Sequence, residues 1–387
     1  MAAGAETVTG RQGMKNTTDL FLCLIRAGLW GRIPEPALFE KADWDGIFRL
    51  ADVQTVTPVL LDGVALLPKS THPPLAVKMR KIGEMQQVER TNMLHLRVMG
   101  KIHRALADRG IADVYMKGQV TAMRYPAPLH RQPGDIDFVV GGEDFPAVLQ
   151  ALSEMGKVDA GMVHEHHGMA WIDGVAVEPH YKVHNFQRPS TDKAMQAMFY
   201  EVFPQQTVTV DMDGCSMPVF PPTFESVFLI SHMVNHVYEE GLGMRQVIDY
   251  AMFLNRCGND IDVRKHDEWL GRMRMRRAWR IFTCVCVEYL GLRMPAFVAP
   301  FTGKEKSMAG RAFADVLRVG NFGRGKYVFR HNGTIDAIRN YGWVVRRCLS
   351  MGFVCPSEAR WWIVSKVRRF FWKKRKQKHG KMAGNMV

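Results

Sequence analysis

The chain has 387 residues, 47% hydrophobic and 23% charged, with a formal net charge of +14; these proportions are those of a globular protein with ample length for a buried core. Its seven cysteines are odd in number and scattered, with no Cys-x-x-Cys, which argues against a disulfide framework or a structural zinc site. The N-terminus has no basic segment leading into an apolar one, and no run approaches the roughly eighteen apolar residues of a spanning helix, so a reducing, cytoplasmic protein is expected.

Residues 1–17 are polar and read as disordered, and 18–110 as an N-terminal helical region. There, apolar stretches from Thr18 to Pro68 suggest short helices broken at Pro34, Pro36 and Pro58. Between about Pro74 and Arg109, Met85, Val88, Met93, Leu96, Met99, Ile102 and Leu106 recur at helical spacing, predicting one long helix with a core-packing stripe. Residues 111–220 carry the chemistry. Asp113–Gly118 reads as a short strand ending in Lys117-Gly118, where a glycine lets backbone N–H groups approach a phosphate.

Asp135 and Asp137 flank Ile136 and lead into Phe138, Val139 and Val140, a strand signal bounded by Pro133 and Gly134. Side chains alternate in a strand, so both carboxylates project from one face while Ile136 and Phe138 enter the core. Aspartate is depleted in strands, and two anions side by side call for a cation. Mg²⁺ suits best, being held by one or two carboxylates plus substrate phosphates. A helix follows over Glu143–Gly156. Two hairpins turn at Asp173-Gly174 and Asp213-Gly214. The order of elements predicts an α+β protein whose mixed sheet has its helices mostly on one face.

The Lys-Gly strand end, Tyr125-Pro126, Arg131, GDIDFVV and Val177-Glu178-Pro179-His180 together resemble the bacterial uncharacterised nucleotidyltransferase family of the polymerase-β-like superfamily, over roughly residues 20–350. That resemblance implies a nucleotidyltransferase core between helical flanks. It implies transfer of a nucleoside monophosphate from a nucleoside triphosphate to an acceptor hydroxyl, with Mg²⁺ or Mn²⁺. Asp135, Asp137 and Glu178 would be the metal-binding and catalytic carboxylates, and Lys117, Gly118 and Arg131 the triphosphate contacts. The sequence departs from the superfamily pattern in two places, the first of which favours a rival reading, a non-catalytic binding or regulatory protein on the same fold. Gln119 stands where the superfamily usually has Gly or Ser, and sixteen residues separate Gly118 from Asp135.

Glu178 is the third carboxylate that phosphoryl transfer generally needs, and alternation places it on one face with His180 and Lys182. Pro179 beside it, unable to donate to a ladder, favours an edge strand or bulge. Glu165 and Asp173 compete with Glu178, Asp173 as a turn residue. His164, Glu165, His166 and His167 are consecutive and cannot all face one ion, so no metal site is expected there.

A larger helical domain is predicted over 221–359, opening at Pro221-Pro222. His232 and His236 share a helix face, as do Arg245 and Asp249; the former pair reads as interior or cleft-lining, the latter as an intrahelical ion pair or a cleft contact. A single helix is expected over DEWLGRMRMRRAWRIFTCVCVEYLGL, and 303–333 is Gly- and Lys-rich, pointing to a loop near the cleft or surface. GNFGRGK there fails as a P-loop, since Tyr327 replaces the Ser/Thr and a helix precedes it. Residues 360–387 contain ten Lys or Arg and no acid, leaving +4 for the rest of the chain. If helical, this tail puts Ile363, Val364, Val367, Phe370 and Phe371 on one arc. An anionic membrane surface bound through 360–381 at the inner face of the membrane, docking on the protein core, and RNA binding remain open readings.

Overall fold

A computed structural model describes residues 5–159, 166–325 and 334–365, with side chains from residue 16 onward apart from residue 334. Residues 5–17, expected to be disordered, instead begin helix α1 (Ala5–Trp30). Leu20, Phe21, Leu24 and Ile25 are buried, and once packing has fixed those turns each added residue gains a hydrogen bond at little cost. Helix α2 (Trp44–Gln54) is capped by Asp43, which accepts from Gly46 N, and ends at Thr55 in the left-handed region. Pro58 opens α3 (Thr57–Ala65) in its first turn, where no intrahelical donor is lost, rather than breaking a helix. The two helices α1 and α3 cross almost backbone to backbone. A Cβ at Gly28 would lie 2.1 Å from Val59 O, and one at Gly63 2.0 Å from Leu24 O.

The long helix appears as one element, α4 (Leu75–Ala107). Its apolar stripe is fully buried only toward its C-terminal end, at Val98, Met99, Ile102 and Leu106; Met85 and Leu96 pack partly buried against the core, and Met93 is exposed. Among the described residues the strands are β1 (Asp113–Met116), β2 (Ile136–Val140), β3 (Lys157–Val158), β4 (Ala170–Ile172), β5 (Val175–His180), β6 (Val208–Met212) and β7 (Cys215–Val219). They form one mixed sheet in the order β3-β4-β5-β2-β1-β7-β6. Asp173 and Gly174, and likewise Asp213 and Gly214, have positive φ, as two-residue hairpin turns require. Asp173 also pairs with Lys101 and plays no part in the carboxylate cluster.

Alternation along β1 and β2 sends Tyr115, Ile136, Phe138 and Val140 to a core with α4 and α6 (Phe145–Met155). Val114, Met116 and Val139 enter a second core with α7 (Pro189–Val202) and α8 (Pro222–Tyr238). Helices therefore cover both faces, because both sets of strand side chains are apolar. Pro179 lies in an interior strand. Its carbonyl accepts from Gly168 N at 2.9 Å, so its ring nitrogen faces past the end of β4 and costs no bond to β2.

The C-terminal helices are α9 (Met244–Cys257), α10 (Val263–Met273), α11 (Arg276–Glu288), α12 (Gly303–Val319) and α13 (Thr334–Met351). The single helix expected across 267–292 is two, split at Arg274, whose φ of 59° ends α10. The expected loop over 303–333 begins only after α12, which Thr302 and Glu305 start with a capping box. One core is continuous from α1–α3 through a sheet face to α13 and a last helical segment, 356–365, where Trp362 is buried. The start of the basic tail is thus docked on the protein; residues 366–387 lie outside the described residues.

Candidate active site

Asp135, Asp137 and Glu178 arrive from adjacent strands. The parallel register pairs Asp137 with Glu178 directly, and Met116, just before Lys117, lies opposite Asp137 on the other side. Asp135 precedes β2 and Asp137 lies within it, so the two share the sheet face that α8 covers. Glu178 and His180 share that face on β5. A cavity of about 220 Å³ opens there, lined by Lys117, Gly118, Thr121, Arg131, Gly134, Asp135, Asp137 and Glu178 from the sheet side. Leu229, His232, Met233 and His236 of α8, Arg245, Gln246 and Asp249 of α9, and Phe322 after α12 complete it.

Lys117 ends β1 with φ 57° and Gly118 follows at φ 42°. This left-handed reversal aims Lys117 Nζ at Asp137 Oδ1, 3.1 Å away, and starts the short helix α5 (Gly118–Ala122). Burial opposes the Lys117 charge, yet Asp137, Asp135 and Glu178 outweigh it and leave its pKa raised. Burial, then Asp137 and Asp135, push the Glu178 carboxyl up to about 8. The carboxylates therefore hold more negative charge than Lys117 alone offsets, and a bound cation would relieve it. One oxygen each of Asp137 and Glu178 and a nitrogen of His180 lie within 4.8 Å of one another, and the two oxygens are donors of the kind that suits Mg²⁺.

Arg131 is placed differently from expectation. Although it lines the cavity, its guanidinium donates to both oxygens of Asp249 at 2.8 Å, and Tyr125 OH donates to Oδ1 of the same carboxylate at 2.7 Å. Asp249 thus pairs with Arg131 across the fold, not with Arg245 one turn away. The Arg131 carbonyl is held by Asn92 Nδ2 at 2.9 Å, and Gln119 Nε2 donates to Asn92 Oδ1 at 2.9 Å. Gln119 is accordingly a buried support for the segment that delivers Asp135, which accounts for both it and the long spacing as structure.

Arg245 also faces the cavity, with unused donor capacity. Its Nη1 donates to the carbonyls of Gln132 and Pro133 at 3.1 and 3.3 Å, while its Nε is buried without a hydrogen-bond partner. Burial, then the nearby Arg131, lower its pKa to about 10, so it stays charged at neutral pH. Its guanidinium lies 5.6 Å from the Phe322 ring centre.

His232 and His236 do reach the cleft, with Nε2 atoms 3.0 Å apart. Burial, then Lys117, drive both toward neutrality, His236 to about 3. Lys182 lies beyond the end of β5 and is not among the lining residues. His164 and Glu165 fall outside the described residues. Thr121 and Phe322 are among the lining residues that sequence reasoning missed. Thr121 Oγ1, one turn after Gly118, is buried without a partner, and that spacing was the available signal. Phe322 comes from more than eighty residues beyond the nearest lining residue of α8, and no local pattern marks it.

The sheet side presents three carboxylates and a lysine to one cleft and α9 adds an arginine, a set of groups able to hold an anionic ligand beside a divalent cation. Residues 40–291 match the family described as uncharacterised nucleotidyltransferase, and the chain belongs to that family. No curated protein matches the sequence. Among solved structures it is similar to an antigenic nucleotidyltransferase-like protein from Paracoccidioides brasiliensis at 13% identity and a TM-score of 0.31, covering 52% of this chain and 94% of that one.

Proposed function

We propose that the cleft binds a nucleoside triphosphate with Mg²⁺ (or Mn²⁺) and transfers its nucleoside monophosphate to an acceptor hydroxyl, releasing pyrophosphate. The observation that carries this is the meeting of Asp135, Asp137 and Glu178 at one end of a cavity whose other wall supplies Arg245. When bound, the cation would offset the clustered carboxylates and the charge growing on the phosphoryl oxygens. Lys117 and Arg245 would carry the remaining triphosphate charge, and the Thr121 hydroxyl is free to donate to a phosphate oxygen. Glu178 would take the acceptor's proton as the acceptor oxygen bonds to the α-phosphorus and the bridging bond to the β-phosphate breaks. The residues act by position and charge, as phosphoryl transfer requires.

The test is incubation with each labelled triphosphate and Mg²⁺ or Mn²⁺, following pyrophosphate release and label on protein, sugar, small molecule or RNA. Release that Asp137→Asn abolishes is the expected result. A triphosphate that raises the melting temperature but is never turned over would instead establish the non-catalytic binding reading.

A further inference from the structure

We propose that His166, His167 and His180 form a second metal site, for a nitrogen-preferring transition ion such as Zn²⁺, beside the oxygen-rich position at Asp137 and Glu178. One nitrogen from each ring lies within 4.8 Å of the others. The ring centres are 4.3 Å apart for His166 and His167, 5.6 Å for His166 and His180, and 5.1 Å for His167 and His180. A tetrahedral ion with bonds of about 2.1 Å sets its ligand atoms roughly 3.4 Å apart, so side-chain rotation alone could close the cluster.

Consecutive residues of a straight strand could not converge in this way. Here residue 166 is a bend and His167 forms an isolated antiparallel bridge to His180. Tyr181 N donates to His166 O at 3.0 Å and Gly168 N to Pro179 O at 2.9 Å, so the backbone fixes which rings meet. A second observation concerns His180 alone. His180 is 3% exposed; its Nε2 stands 3.0 Å from Asp137 Oδ1, and its Nδ1 is buried with no partner. Metal-bound histidines typically direct one nitrogen to the ion and donate the other ring N–H to a carboxylate. The Nε2 of His180 already meets the Asp137 carboxylate at that kind of distance. Three imidazoles suit Zn²⁺ or Co²⁺ and not Mg²⁺, which demands oxygen. An ion there would clamp the 166–168 segment to β5 and orient Asp137 through the imidazole of His180.

The site is separable from the proposed nucleotidyl transfer, so its test uses metal alone. Full-length protein stripped with chelator is titrated with Co²⁺, read by visible absorption, and with Zn²⁺, read by calorimetry, without nucleotide. Expected are about one tight ion per chain and the intense visible bands of nitrogen-ligated tetrahedral Co²⁺. The paired change His166→Gln and His167→Gln should abolish the bands and lower Zn²⁺ affinity by more than about 100-fold. Asp137→Asn, which removes the carboxylate behind His180 but none of the three rings, should keep the bands and weaken Zn²⁺ by roughly tenfold. Only weak, octahedral-type Co²⁺ bands in the unaltered protein would overturn the proposal, and that reading needs no variant to fold. So would wild-type Zn²⁺ affinity in the doubly changed protein. A doubly changed protein that loses Zn²⁺ but keeps the thermal shift with Mg²⁺ and triphosphate separates this site from the nucleotide site.

Discussion

Asp137 is the residue on which most of the site converges, being held by Lys117 and His180 and paired in register with Glu178. Mg²⁺ plus triphosphate should therefore raise the melting temperature by binding the native state. Thermal melts of Asp137→Asn should show no such rise; an undiminished shift would place the ion elsewhere. The two arginines should separate cleanly. Arg131→Ala leaves Asp249 charged, buried and without its guanidinium, and should cost about 3–5 kcal/mol in urea unfolding. Arg245→Ala should leave folding nearly intact, as it removes two bonds to carbonyls at the cavity wall. Its effect should appear in nucleotide titrations, as binding weaker by about tenfold, or ~1.4 kcal/mol. The sequence suggested the opposite for Arg131, because its partner Asp249 lies 118 positions away.

Elements were legible where their signals are local. The Asp-x-Asp strand, the Asp-Gly hairpins and the long helix α4 all follow from alternation, turn chemistry and helical period. The break at Arg274 was not, since a left-handed arginine has no composition signal and is held there by the packing of α10 and α11. Nor was the close crossing of α1 and α3. Gly63→Ala would drive a methyl into Leu24 O, and neither backbone can yield without shifting a helix. Such overpacking should cost about 1–3 kcal/mol, measured as a lower urea midpoint at unchanged slope.

Across the whole molecule, stability should depend on pH through His266, buried against Ser226 Oγ at 2.9 Å. Burial lowers its pKa from 6.5 to about 4, so the folded protein keeps the ring neutral where the unfolded chain protonates it. That contribution is full above pH 6.5 and lost as pH falls toward 4, by roughly 3 kcal/mol in all. Urea unfolding from pH 7.5 to 4 should show this decline, and His266→Gln should flatten it. The tail carries ten of the fourteen net charges. We expect full-length protein to sediment with anionic vesicles, less so as salt rises, because exposed charges are screened beyond about 10 Å at 0.1 M salt. Changing Phe370 and Phe371 to Ser should weaken this even at low salt. Should deletion of 366–387 abolish the cooperative melt instead, the apolar arc belongs to the protein's own core.

The sequence by itself determined the chemistry on offer at one face: two aspartates two apart on a strand, a Lys-Gly strand end, and a Glu-x-His strand to set beside them. Those are short-range facts, governed by alternation and by the backbone freedom of glycine. Only the tertiary structure decided which charges remain available. It commits Arg131 to Asp249 and Gln119 to Asn92, and brings Arg245, Thr121 and Phe322 to the cavity. It also bends His166 and His167 toward His180. Each of those outcomes depends on contacts between residues far apart in the chain, whose geometry is fixed only when the sheet and helices pack.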